Sequence, residues 1–160
     1  MKLRHLFFAC SGVFVMMFSL LLLVVIVFSD EEDGGSGGNL IYGGVSVSQE
    51  VLAHKPMLEK YAREYGIEEY LNVLLAIIQV ESGGTLEDVM QSSESLGLPP
   101  NSLSTEESIK QGCKYFSELL AAAETKGCDL NSVIQSYNYG GGFLDYVAGR
   151  GKKYTFELAE

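Results

Sequence analysis

The hydrophobic and polar positions divide the chain into an apolar N-terminal stretch, a polar glycine-rich stretch and a long remainder with helical periodicity. Residues 6–28 carry no charge, and all but three of these 23 residues are apolar. A stretch of this length can cross a bilayer as a helix. Lys2 and Arg4 precede it, and an acidic run at residues 30–33 follows it. This asymmetry predicts a cytoplasmic N-terminus and an exported remainder.

The apolar stretch differs from a cleavable signal peptide, which has an apolar core of only about 7 to 15 residues and a cleavage site of small residues. We therefore predict an uncleaved signal anchor, with the cytoplasmic stub and membrane helix together at residues 1–28. Cleavage near Ser29 is the alternative. Residues 29–47 combine acidic residues with glycine and serine, a composition that predicts a flexible linker.

The remaining residues, 48–160, predict a mostly α-helical domain. Apolar residues recur at a spacing near 3.6, and helix caps separate the segments. The segment at 69–82 is apolar on nearly every side, which is typical of a buried core helix. The first predicted helix runs from about Ser48 to Gly66, with a bend or break at Pro56, and the second runs from 69 to 82. A capping box that starts at Ser104 precedes a third helix from 106 to about 124. A fourth helix begins at the N-cap Asp129 and ends at the glycines at 140–142, and one or two further helical turns follow at 143–147.

Composition and charge narrow the class of protein. With 160 residues, 47% hydrophobic and 20% charged, the chain suffices for one domain with a core. Its 21 acidic and 11 basic residues give a net charge of −10, which argues against nucleic acid as a partner. Three cysteines are too few for a disulfide scaffold.

The candidate chemistry lies where the predicted core helix ends. Glu81 falls in the last turn of that helix. Low local polarity and the negative end of the helix dipole both disfavour a charged carboxylate, so we expect a raised pKa for Glu81. A carboxyl that keeps its proton near neutral pH can act as a general acid on a glycosidic oxygen.

Three segments carry a resemblance to a known family. They are QVESGG at residues 79–84, DVMQSSES at 88–95 and SYNYGGG at 136–142. In this order they resemble the signature stretches of the goose-type lysozyme and lytic transglycosylase superfamily, and in particular the lysozyme-like domain of bifunctional cell-wall hydrolases of Gram-positive conjugative transposons. The resemblance implies a lysozyme-like helical fold behind the membrane helix, and peptidoglycan as substrate.

The resemblance also implies site residues. Glu81 would be the catalytic acid. The residues expected to bind the sugars are Ser82, Gln91, Ser92, Tyr137, Asn138 and Tyr139. Aromatic faces and amide groups suit sugars, which present apolar ring faces and rows of hydroxyl and acetamido groups.

The second carboxylate is less certain from sequence. Asp88, seven residues beyond Glu81, is the first candidate, but an aspartate before an apolar residue is as often an N-cap. Glu94 is the weaker candidate. If neither serves, one glutamate acts first as acid and then as base while the sugar's own 6-hydroxyl attacks, as in the lytic transglycosylases that the chain resembles.

Other chemistries have little support in the sequence. His54 is the one histidine outside the predicted cytoplasmic stub, and we expect it on the surface with no metal site. Cys113 and Cys128 lack a partner for thiol catalysis, and a continuous helix would separate them beyond disulfide reach. We predict two free thiols and no cofactor.

The leading hypothesis is a muramidase at the outer face of a Gram-positive cell membrane, or secreted if the anchor is cleaved. By resemblance it would open the wall for a conjugation apparatus of the type IV secretion kind. A lytic transglycosylase and a non-catalytic wall-binding module of a secretion complex are the alternatives. The transposon hydrolases usually continue into a peptidase domain, whose activity is not carried over because none of its residues is present here.

Overall fold

The computed structural model describes residues 40–42 and 45–159, and these residues form a mostly helical domain as the sequence predicts. Three short 3-10 turns complete the fold. The elements are β1 (Leu40–Tyr42), β2 (Val45–Val47), α1 (Gln49–Ala53), α2 (Lys55–Glu64), a 3-10 turn (Glu68–Tyr70), α3 (Leu71–Glu81), a 3-10 turn (Ser92–Leu96), α4 (Thr105–Lys126), α5 (Leu130–Tyr139), α6 (Gly142–Ala148) and a 3-10 turn (Phe156–Leu158).

The hairpin formed by β1 and β2 corrects part of the linker prediction. The two strands are antiparallel, with Leu40 opposite Val47 and Tyr42 opposite Val45. Alternating β-branched and aromatic residues favour strands, and the sequence Gly-Gly between them is typical of a tight hairpin turn. Val47 is fully buried, so the folded domain begins before residue 48.

The predicted first helix is two helices. α1 ends at Ala53, His54 caps it, and α2 begins at Lys55 with Pro56 in its first turn, where a missing N–H does no harm. His54, predicted to lie on the surface, is only partly exposed. Its side chain is half-buried, and Nε2 lies 2.9 Å from the carbonyl oxygen of Gly84, to which it donates a hydrogen bond.

The core helix is α3, as predicted. Every residue from 73 to 78 is buried, and Leu74, Leu75 and Ile78 are among the largest side chains that are completely enclosed. Full burial of each such side chain contributes about 1.5–3 kcal/mol. α3 packs against β2, α1 and α2, and this packing fixes the position of its C-terminal residue, Glu81.

The longest helix, α4, forms the other side of the domain and packs against α2, α5 and α6. The predicted capping box is present, since the Glu107 carboxylate accepts hydrogen bonds from the backbone N–H of Ser104 at 3.0 Å and from its hydroxyl at 2.6 Å. α5 starts at the predicted N-cap, where the Asp129 carboxylate accepts from the Ser132 N–H at 3.0 Å.

In the described part of the chain, Cys113 and Cys128 are free thiols. Cys113 is buried within α4, and burial raises the pKa of its thiol to about 12. A thiol with such a pKa stays protonated and is a poor nucleophile.

No helix between residues 45 and 159 is long and apolar enough to cross a membrane. The predicted membrane helix at 6–28 lies outside the described residues.

Candidate active site

Glu81 stands at the end of α3, on the wall of an open cleft with a volume of about 240 Å³. The cleft collects residues from four parts of the chain: the end of α3, the 3-10 turn after it, the middle of α4 and the end of α5. The lining residues are Glu81, Gln91, Ser92, Glu94, Ser95, Tyr115, Tyr137, Asn138, Tyr139 and Gly140. Five of the predicted sugar-binding residues are therefore brought together around the predicted acid.

The electrostatics of the cleft favour a protonated Glu81. The pKa of this carboxyl is raised from the ordinary value of 4.5 to about 7, chiefly by burial and in addition by the negative charges of Glu94 and Asp88. No lysine or arginine is among the residues that line the cleft, so no cation there offsets these effects. A carboxyl with a pKa of about 7 can donate a proton at neutral pH.

The loop after Glu81 is held by protein contacts rather than left open for substrate. The Ser82 hydroxyl donates to the Val89 carbonyl at 2.7 Å and accepts from the Gly84 N–H at 3.0 Å. Ser82 does not line the cleft, so its geometry supports a role in fixing the loop instead of the predicted sugar contact.

Gly84, the second of two glycines in the loop after Glu81, allows a close contact between this loop and α1. Its φ is +77°, and an added Cβ would lie 2.7 Å from the backbone of Glu50 and Val51. Only glycine allows α1 to approach this loop so closely. The Ser48 hydroxyl donates to the Gly83 carbonyl at 3.3 Å and the Ser48 N–H donates to Gln79 at 2.7 Å, so residues on the N-terminal side of α1 brace the end of α3.

Asp88 lies behind the cleft rather than in it. Its side chain is fully buried, and it is absent from the cleft lining. Oδ1 accepts from the Ser92 N–H at 3.0 Å and from the Ser108 hydroxyl at 2.6 Å, and Oδ2 accepts from the Ser93 N–H at 3.3 Å. This is the N-cap-like arrangement that the sequence left as an alternative, and it does not place Asp88 at the reacting bond.

Gln91 reaches the cleft through a strained backbone. Its φ of 46° is in the left-handed region, which is unusual for a residue with a side chain. The amide nitrogen donates to the Asp88 carbonyl and to the Asn101 side chain, both at 2.8 Å. The side chain of Gln91 also has a carbonyl oxygen, which is a hydrogen-bond acceptor. Strain of this kind is typical of functional sites.

Ser92, beside Gln91, lines the cleft but is 2% exposed, and its hydroxyl donates to the Ser108 carbonyl at 2.9 Å. The Ser92 hydroxyl therefore holds the 3-10 turn against α4. Ser93, the next residue, is fully buried, and no hydrogen-bond partner of its hydroxyl is present in the described part of the chain.

The end of α5 supplies the polar and aromatic wall. Tyr137 donates from its hydroxyl to the Met90 carbonyl at 3.1 Å, which ties α5 to the segment after α3. Asn138 and Tyr139 are half-buried, and the Tyr139 hydroxyl donates to the Ala159 carbonyl at 3.2 Å. Gly140, with a φ of +86°, ends α5 and also lines the cleft.

Sequence reasoning missed Tyr115 and ranked Glu94 below Asp88. Tyr115 belongs to α4, lines the cleft and packs its ring 5.5 Å from that of Tyr137. A signal was available in Gly112, one turn earlier, because a glycine inside a helix often marks a close approach. An added Cβ there would lie 2.5 Å from Met90 Sδ and 2.9 Å from Tyr137 Oη.

In the described part of the chain, no three side chains of histidine, cysteine, aspartate or glutamate lie close enough together to hold a metal ion.

The fold and the cleft define the class of protein. The family model described as Lysozyme-like matches residues 48–160, and the chain belongs to this lysozyme-like family.

Individual relatives are found among Gram-positive bacteria. The chain is 44% identical over 119 residues to the bifunctional muramidase/DL-endopeptidase CwlT of Bacillus subtilis, covering 74% of this chain and 35% of that protein. It is 40% identical over 115 residues to the membrane protein YocA of the same species, covering 71% of this chain and 51% of YocA. A pneumococcal vaccine antigen A homolog of Streptococcus pyogenes is 41% identical over 112 residues, with 69% of this chain and 56% of that protein covered.

A solved structure is also similar. It is a crystal structure from Staphylococcus aureus described as similar to a lipoprotein of the NLP/P60 family, with 77% identity and a TM-score of 0.72, covering 72% of this chain and 39% of that one. The chain thus spans about a third to a little over half of the length of these relatives.

Proposed function

We propose that the domain cleaves the glycan strands of peptidoglycan as an N-acetylmuramidase, with Glu81 as the general acid. The observation that carries this proposal is the position of Glu81, a carboxyl with a pKa of about 7 on the wall of an open cleft. Membership of the lysozyme-like family and the similarity to a muramidase/endopeptidase support glycan as the substrate class. Of the two activities in the description of that relative, we propose only the muramidase activity for this chain.

In this proposal the sugar ring rests against the wall formed by Tyr115, Tyr137 and Tyr139. Asn138 and the carbonyl oxygen of Gln91 exchange hydrogen bonds with its acetamido and hydroxyl groups. Glu81 then donates its proton to the glycosidic oxygen between N-acetylmuramic acid and N-acetylglucosamine as that bond breaks. Because the acid must be protonated beforehand, activity falls as the pH rises through about 7.

We also propose that the enzyme works at the outer face of the cell membrane, held by the apolar residues 6–28. The membrane-protein and lipoprotein descriptions of two relatives support an envelope location. Local opening of the wall for conjugative transfer is the part of the proposal that rests on the sequence resemblance alone.

A lytic transglycosylase is a second candidate, and the burial of Asp88 favours it. A fully buried carboxylate that already accepts three hydrogen bonds is poorly placed to activate a water. If Glu94, the other carboxylate that lines the cleft, does not activate water either, Glu81 acts alone and the 6-hydroxyl of the muramic acid attacks.

Mass spectrometry of digested peptidoglycan tests both candidates. The full chain in detergent should release fragments with a reducing muramic acid, whereas a transglycosylase would release 1,6-anhydro ends that are lighter by one water. Glu81→Gln should abolish either product while it leaves binding to insoluble peptidoglycan intact. Absence of any product from the unaltered protein, with binding retained, would contradict the proposal and favour a wall-binding module.

A further inference from the structure

Glu94, and not Asp88, lines the cleft together with Glu81. It belongs to the 3-10 turn Ser92–Leu96, its side chain is exposed, and it lines the same cleft as Glu81. Glu81 and Glu94 are the two carboxylates among the cleft-lining residues. Because its side chain is exposed, Glu94 is open to water.

The turn that carries Glu94 is held firmly. Asp88 accepts the backbone N–H groups of Ser92 and Ser93, and the Leu98 N–H donates to the Ser93 carbonyl at 3.1 Å. The Ser95 hydroxyl donates to the Ser92 carbonyl at 2.6 Å and accepts from Gln111 of α4 at 2.9 Å. Residues on both sides of Glu94 are therefore fixed, which is what a reacting group requires of its support.

We propose that Glu94 is the second catalytic carboxylate, and that Asp88 is a positioning residue which holds the turn beneath it. Water attacks the anomeric carbon and loses a proton to the Glu94 carboxylate. The bond between that carbon and the glycosidic oxygen breaks, and Glu81 gives its proton to this oxygen. This inference rests on the proposed muramidase function, because a base for water is needed only if water is the nucleophile.

The two carboxyls lie in different environments, since Glu81 is partly buried and Glu94 is exposed. Glu81 is largely buried and its pKa is raised, and the charge of Glu94 is the second-largest cause of that shift after burial. The other ionisable groups around Glu81 are Asp88 behind the turn and the tyrosines of α4 and α5, with no cation in the lining. A partly buried carboxyl and an exposed one in the same cleft are an arrangement that acid–base hydrolysis can use.

The experiment compares the full-length protein with Glu94→Gln, Glu94→Ala and the matched control Glu87→Gln, in which an exposed glutamate outside the cleft lining is changed. Hydrolytic products should fall by about 10²- to 10⁴-fold in both Glu94 variants, since this is the usual contribution of a general base. Glu87→Gln should retain the unaltered rate.

Two further measurements separate a catalytic role from a structural one. Azide needs no base, so it should restore turnover to Glu94→Ala and release a glycosyl azide in place of the reducing end. In Glu94→Gln the alkaline limb of the residual activity should move to lower pH, because a negative charge that raises the pKa of Glu81 has been removed.

The outcomes distinguish the two proposals. If the unaltered protein cuts no glycan, the proposed function fails, and the assignment of Glu94 fails with it. If it hydrolyses glycan and Glu94→Gln does so equally fast, or azide does not rescue Glu94→Ala, only the assignment of Glu94 is overturned. A product with only 1,6-anhydro ends would also overturn it.

Discussion

Replacing Glu81 by glutamine should stabilise the protein at alkaline pH while it removes the activity. The folded-state pKa of Glu81 lies at about 7, above the ordinary value of 4.5. Its contribution to stability is therefore fully present below pH 4.5 and is lost as the pH rises towards 7 and beyond. Glutamine has nearly the same shape and no charge, so the variant does not lose this contribution.

The magnitude follows from the two pKa values. A difference between 4.5 and about 7, at about 1.4 kcal/mol for each pH unit, corresponds to about 3 kcal/mol in the free energy of unfolding. This figure is an upper bound, because Glu81 is partly exposed in an open cleft and solvent screens its charge. The difference between the variant and the unaltered protein should be near zero at pH 4.5 and should grow to its full value by pH 8.

Urea unfolding at a series of pH values measures this difference. The chain has nine tyrosines and no tryptophan, so near-ultraviolet circular dichroism of the tyrosines is a suitable probe of tertiary structure. Glu87→Gln is the control, and this exposed substitution should change the free energy by less than about 0.5 kcal/mol at every pH. A Glu81→Gln variant that is no more stable than the unaltered protein at pH 8 would refute the reasoning.

The remaining predictions concern the packing around the cleft. Gly112→Ala should destabilise the domain by about 1–3 kcal/mol in urea unfolding and lower the activity, since the new Cβ would overlap Met90 and the Tyr137 hydroxyl. Ser108→Ala should cost about 1–3 kcal/mol in the same assay, because it removes the donor to the buried Asp88 carboxylate. Ser93→Ala should be neutral or stabilising by thermal unfolding, because its buried hydroxyl makes no hydrogen bond in the described structure. A clear loss of stability in this last variant would reveal a partner for that hydroxyl.

Periodicity and caps predicted most of the helices because these signals are local. The capping box at Ser104, the N-cap at Asp129 and the apolar helix that ends at Glu81 were all readable from a few neighbouring positions. The hairpin at residues 40–47 was missed because its strands are three residues long and lie in an acidic, glycine-rich context.

The site was predicted less completely because burial and hydrogen-bond partners are set by distant parts of the chain. Asp88 and Glu94 lie six residues apart in one segment, and nothing local shows that the first faces Ser108 of α4 while the second faces the cleft. The same holds for Ser82, whose hydroxyl is taken up by the Val89 carbonyl. The position of Glu81 at the end of the core helix was accessible from sequence, whereas the surroundings of its neighbours needed the tertiary structure.

The hydrogen bond between Tyr137 and Met90 joins positions 47 residues apart, with the whole of α4 between them. Contacts so distant along the chain form late in folding, because the entropy of closing the loop must be lost before the contact can compensate for it. The cleft is incomplete until α5 packs against the segment after α3, because residues of α5 form part of its lining. If Glu81 is the acid, as proposed, its chemistry depends on the packing of α5 beside it, and activity would then report the completion of folding.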